Sequence, residues 1–218
     1  MNLHRSEDTP EWELVPPEER NYWQRLAAKT HGIVTPGNIA TAAGVCLVVA
    51  GEECTKRGKR KTGLTLIATG FAMDFVDGQL ADRTETKSRL GAKADIVSDK
   101  FKVLTTLYTL HKAELIGTST AMHILVQNSA NVAITAYAKA TGNTELNDAS
   151  ALGKVTAVAQ AGRMVTGAAS KMLASSEDYG QLAASVERFS TGLEVVAAGT
   201  GICTSVGYAQ QAFAPSTG

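Results

Sequence analysis

The chain has 218 residues, enough for one large domain or two small ones. Its 21 basic and 21 acidic residues cancel, which argues against bulk attraction to nucleic acid. Three cysteines, Cys46, Cys54 and Cys203, have no paired spacing and no histidine nearby, which argues against a disulfide framework or a zinc site.

Residues 1–18 are polar and hold three of the five prolines, so a loose arm is expected there, with no secretory signal. Glu18–Thr30 fits a short amphipathic helix, with Tyr22, Trp23, Leu26 and Ala27 on one face and Arg20, Arg25 and Lys29 mostly elsewhere. That face suits a membrane interface or a packing contact with the domain. His31–Gly51 carries no Asp, Glu, Lys or Arg, and its ~20-residue length is what a helix needs to cross a bilayer. A basic loop follows, with Lys56, Arg57, Lys59, Arg60 and Lys61. Thr62–Met73 is apolar and predicts a second helix, continuous with Asp74 and Asp77. Gln79–Lys93 reads as a charged connector. A third helix is expected from Ala94 through Leu110, with Asp95 and Asp99 in its first turns. Leu115–Ala138, Ala151–Ala174 and Ser185–Ala214 predict three more, and a polar turn separates the first of these from the second. No proline interrupts Gly37–Ala214, which favours long helices. His111 and His123 lack a partner at ligand spacing and read as structural.

The expected fold is all-α: a polytopic membrane protein of six transmembrane helices, preceded by an amphipathic juxtamembrane helix. Residues 1–30 form the arm and interfacial helix, and 31–218 the six-helix domain. The spans are rich in Ala, Gly, Ser and Thr, which allow close helix approach in a membrane and equally suit a soluble bundle. Basic residues flank both sides, so charge does not settle orientation.

Asp74–Asp99 decides between these readings. Asp74/Asp77 and Asp95/Asp99 are spaced three and four apart, so each pair shares a helix face. Two such pairs of acids suit a hard divalent cation such as Mg²⁺. The stretch reads Asp74, Asp77, Gly78, Ala81, Asp82, Gly91, Asp95, Asp99. It resembles the signature D-x-x-D-G-x-x-A-R-x8-G-x3-D-x3-D of the CDP-alcohol phosphotransferases, with every spacing kept. Six chosen identities at roughly 7% each coincide by chance about once in 10⁷ starting points. The departure is Asp82 in place of the signature Arg, with Arg83 one residue late.

The resemblance implies transfer of a phosphatidyl group from CDP-diacylglycerol to a polar alcohol, with release of CMP. It implies Asp74, Asp77, Asp95 and Asp99 as ligands of two Mg²⁺ (or Mn²⁺) ions, Asp99 also as the general base, and Gly78, Ala81, Asp82, Arg83 and Gly91 around the nucleotide. It further implies a homodimer in the cell membrane, the site facing the cytoplasm. Gly153-Lys154 with Gln160 partly matches the glycerol-3-phosphate-using branch, phosphatidylglycerophosphate synthases, so glycerol 3-phosphate is the expected acceptor. Inositol phosphate or another alcohol is the alternative. Lys139, Lys154 and Arg163 are candidates for the acceptor phosphate; each alone also suits snorkelling toward headgroups. From other classes, the readings are a catalytically silent relative, which Asp82 favours, and a soluble metal-dependent phosphohydrolase.

Overall fold

A computed structural model describes residues 9–140, 151–175 and 177–213 of the chain. Among them are seven α-helices and no strand: α1 (Tyr22–Lys29), α2 (Pro36–Lys56), α3 (Arg60–Thr84), α4 (Arg89–Lys112), α5 (Thr118–Ala140), α6 (Ala151–Ala174) and α7 (Gly180–Phe213). The chain divides into two compact units, Met1–Thr106 and Leu107–Gly218, and α4 runs through the boundary.

Local signals set the helix ends in the first unit. Asn21 caps α1 reciprocally with Gln24, a capping box. Thr35 caps α2 by accepting from Asn38 N, and Pro36 occupies the first helical position, where its missing N–H costs nothing. Glu85 takes the left-handed conformation that ends α3 (φ 51°), and Ser88 Oγ accepts from Gly91 N to start α4. The connector between the acidic pairs is therefore far shorter than expected, because Gln79–Thr84 continues α3 and Arg89 already opens α4.

A heptad of small residues joins α2 to α3. Gly37, Gly44 and Gly51 lie seven apart on α2, and Gly63, Gly70 and Asp77 lie seven apart on α3. Seven residues make nearly two turns, so each set forms one stripe. A Cβ on Gly44 would lie 2.9 Å from Gly70 O, and one on Gly70 would lie 2.7 Å from Gly44 O. At Gly51 and Gly63 the reciprocal distances are 2.6 Å. The backbones touch along an antiparallel seam that no larger side chain fits. Asp77 takes the next place in the α3 stripe and is therefore buried.

Of the arm expected at residues 1–18, residues 9–18 are less loose than their composition suggests, and residues 1–8 lie outside the described residues. Glu11–Leu14 forms a 3₁₀ turn, and Trp12 is buried against Gly32. Gly32 has φ +77° and no room for a Cβ, so glycine is required there twice over. Gln24 donates to Glu85 at 3.0 Å, and Lys87 N donates to Glu11 at 3.2 Å. These bonds fasten the segment to the α3–α4 turn. They also reorient α1: Gln24 and Ala27 are buried, while Tyr22, expected on the apolar face, is exposed.

The second unit packs α7 against α6 and α5 around a polar interior. Asn128 donates to Gln160 at 3.0 Å, Gln160 donates to Gln127 at 2.8 Å, and Thr156 donates to Thr200 at 2.8 Å. Buried polar groups must be paired, and these are paired across helices, which fixes their rotational register.

Helices α2–α7 stand where six spans were expected. Among the described residues, however, no helix is long and apolar enough to cross a membrane. Glycines and buried threonines hold seam positions that Leu or Ile would fill in a more hydrophobic span. Large apolar side chains are nonetheless exposed on several helices, among them Phe75, Val97, Phe101, Phe189 and Ile202.

Candidate metal centre

The α3 heptad stripe and the cap of α4 together position the acidic site. Asp74, in the second half of α3, and Asp95 and Asp99, in the first half of α4, each offer a carboxylate oxygen, all within 4.8 Å of one another. Asp95 Oδ1 is buried and accepts no hydrogen bond, and buried Asp99 Oδ1 faces the Lys102 ammonium at 3.1 Å. A buried carboxylate oxygen without a donor is costly. Three carboxylates converging around one such oxygen form a hard-donor set of the kind Mg²⁺ or Mn²⁺ takes. The residues present therefore fit a divalent ion.

Asp77 stands apart from that group. Thr41 Oγ1, on α2, donates to Asp77 Oδ2 at 2.6 Å, and both residues are buried. The glycine stripe explains the pairing, since Thr41 lies on α2 between Gly37 and Gly44, facing the same seam. Through this bond α2 holds the α3 end of the site.

Lys102 was not anticipated from the sequence. Its side chain is fully buried and bonds to Asp74 Oδ1, and its Nζ lies 3.1 Å from Asp99 Oδ1. The signal was a lysine three residues beyond Asp99 on one helix face. A buried ammonium among carboxylates is a stable arrangement only when fully paired, as it is here.

The expected nucleotide residues occupy differing surroundings. Gly78 lies inside α3, is exposed, and would meet nothing within 4 Å if it carried a Cβ. Packing gives no reason for glycine there, and a mid-helix glycine costs roughly 0.5–1 kcal/mol relative to alanine. Gly78→Ala is therefore expected to raise thermal stability by about that amount. If the nucleotide backs onto this position, CMP affinity in a binding titration falls about tenfold, or 1.4 kcal/mol. Unchanged CMP affinity would remove Gly78 from the site. Ala81 instead packs close to Gly37, and Gly91 is tight against Asn38 Oδ1, where a Cβ would lie at 2.9 Å. Both small residues serve helix contacts.

Asp82 and Arg83 are both helical, so they point about 100° apart. Arg83 does not take the direction of the signature Arg. Asp82 is exposed and pairs with Lys87, whose pKa is raised by that hydrogen bond. Because the pair is in water, Lys87→Ala is expected to change stability by less than about 1 kcal/mol in a thermal melt.

Arg163 belongs to the second unit. It donates to Glu194 at 2.9 Å, to Ser190, and to Thr120 at 3.3 Å. The cavity beside it, lined also by His123 and Gln160, measures about 10 Å³, room for about one water. Lys139 and Lys154 lie on helices, but their side chains are outside the described residues.

Comparison with known proteins supports one family. The family model described as CDP-alcohol phosphatidyltransferase matches residues 34–199, most of the chain and all of the acidic stretch. Neither the curated proteins nor the solved structures give a match.

Proposed function

The chain belongs to the CDP-alcohol phosphatidyltransferase family, and on that premise we propose that it moves a phosphatidyl group from CDP-diacylglycerol to glycerol 3-phosphate and releases CMP. The family's chemistry is transfer of such a group from a CDP-alcohol to an alcohol, a transferase reaction on phosphate in phospholipid biosynthesis. The observation that carries the reading is the convergence of Asp74, Asp95 and Asp99, at the family's spacing, into one cation-ready cluster.

A bound Mg²⁺ or Mn²⁺ would neutralise the charge on the diphosphate and on the departing CMP oxygen. Asp74, Asp95 and Asp99 would hold it. Asp77, anchored by Thr41, fixes the α3 end of the site. Asp99 takes the proton from the acceptor hydroxyl as its oxygen attacks the lipid-bearing phosphorus. A new P–O bond forms, the bridging P–O bond breaks, and CMP leaves with that electron pair. Lys139, Lys154 and Arg163 are proposed to receive the acceptor phosphate, for which Arg163 would exchange one of its present partners.

The proposed setting is the cell membrane, as a multi-pass homodimer with the site toward the cytoplasm. The exposed apolar side chains on α3, α4 and α7 support a lipid environment. A second reading, a catalytically silent relative, draws on Asp82, which puts a negative charge where the signature has a positive one.

CMP release from CDP-diacylglycerol, measured in detergent with Mg²⁺ and a panel of acceptors, tests the proposal. Release that depends on glycerol 3-phosphate is expected. Release with inositol phosphate alone would transfer the assignment to that acceptor, and release without any acceptor would indicate a hydrolase. Silence with every acceptor, from folded protein that binds metal, would favour the silent relative.

A further inference from the structure

Asp82 stands where the signature has Arg, and the fold gives it a cation. Lys87, in the turn between α3 and α4, pairs with Asp82 Oδ1. The amino-terminal segment holds the Lys87 backbone on both sides: Lys87 N donates to Glu11 at 3.2 Å, and Lys87 O accepts from Glu11 N at 3.4 Å. The ammonium therefore reaches Asp82 from a fixed root. The hydrogen bond to Asp82 raises its pKa, so it stays charged in neutral solution. An ammonium carries three donors, and pairing with one carboxylate oxygen leaves donors for a second acceptor.

Helical register puts this ammonium in line with the acidic cluster. Asp74, Gly78 and Asp82 are spaced four apart on α3, so they follow one ridge of the helix. Asp74 belongs to the cation-ready cluster at one end. Gly78, midway, is exposed, and a Cβ there would meet nothing within 4 Å. Asp82 with Lys87 stands at the other end, about 12 Å along the axis from Asp74. The ridge is thus an open strip with a place for positive charge at each end, a layout that suits a nucleoside diphosphate. Asp82 alone would repel such a ligand. Its pair with Lys87 cancels that charge and offers charge-assisted donors instead.

We propose that Lys87, aimed by Asp82 and rooted by Glu11, supplies the positive charge that the signature places at position 82, and donates to the diphosphate of the CDP-linked substrate. Lys87 then binds substrate, while Asp82 and Glu11 are positioning residues. The departure at position 82 is a relocated cation, which answers the objection that Asp82 raises against activity. The inference rests on the nucleotide-binding reading of the site.

The test is calorimetric titration of CDP into the full chain in detergent with Mg²⁺. Lys87→Gln is expected to bind CDP about tenfold more weakly than wild type, the loss of one charge-assisted hydrogen bond. Lys87→Arg is expected to stay within about threefold, and so is Lys61→Gln, an exposed lysine near the start of α3. Adding Asp82→Arg to Lys87→Gln is expected to restore affinity, since the charge returns to position 82. No CDP binding by wild type would overturn the nucleotide reading and this inference together. Binding by wild type that Lys87→Gln leaves unchanged would overturn the role of Lys87 alone. An equal loss in Lys61→Gln, or no rescue by Asp82→Arg, would do the same. Acetylation of wild type gives a reading that needs no variant to fold: CDP is expected to slow labelling of Lys87 and not of Lys61. Unchanged labelling of Lys87 in the presence of bound CDP would overturn the contact.

Discussion

Asp99→Asn is expected to lower acceptor-dependent CMP release by about 10²–10⁴-fold, the contribution typical of a positioned general base. Asparagine keeps the size of the side chain and loses both its charge and its ability to take a proton. Asp99 Oδ1 is buried and faces the Lys102 ammonium at 3.1 Å. Lys102 loses one carboxylate partner and keeps Asp74, so its buried charge stays compensated. The fold is therefore expected to survive, and a thermal melt beside the assay checks this. Mn²⁺ affinity separates the two roles given to Asp99. A large loss of turnover with Mn²⁺ bound as in wild type marks the base. Loss of both marks a ligand. Turnover within about threefold of wild type, under 1 kcal/mol on the transition state, would remove Asp99 from the chemistry.

Gly51→Ala is expected to destabilise the first unit by about 1–3 kcal/mol, the usual cost of overpacking a filled contact. The added Cβ would lie 2.6 Å from Gly63 O, 2.8 Å from Ile67 Cγ1 and 2.9 Å from Ile67 N. Two of these three atoms are backbone and cannot rotate aside, and Ile67 is itself fully buried. Relief requires α2 and α3 to move apart, which strips contact from the whole seam. At about 2–4 °C per kcal/mol for a chain of this size, the melting temperature should fall by about 2–12 °C. Gly78→Ala is the matched control, since the same methyl there meets open space. A melting temperature unchanged by Gly51→Ala would mean that the glycine seam is not what holds the two helices together.

Much of the site was readable before any coordinates. The spacing of Asp74, Asp77, Asp95 and Asp99 carried the family resemblance, and helical periodicity alone paired them. Legibility failed where the decisive neighbour was distant in the chain. Thr41 is 36 residues from Asp77, and only the packing of α2 on α3 brings it there. The glycine heptads that enforce this packing were visible in the sequence, but a repeat of one small residue among many is easily missed. Lys102 failed for another reason: in a helical run its burial depends on which neighbours surround it, and charge alone argues for exposure.

The sequence by itself determined the helical class, the acidic signature and the family, because these depend on local spacing, on the absence of proline, and on residue chemistry that survives any packing. Tertiary structure decided which acids converge, that Asp77 is tied to Thr41, that α3 continues through Asp82, and that a lysine stands inside the cluster. Those outcomes depend on how closely α2 and α3 approach and on the rotation of α4 about its axis. Both are set by steric fit between segments distant in the chain, a property that no single stretch of sequence carries.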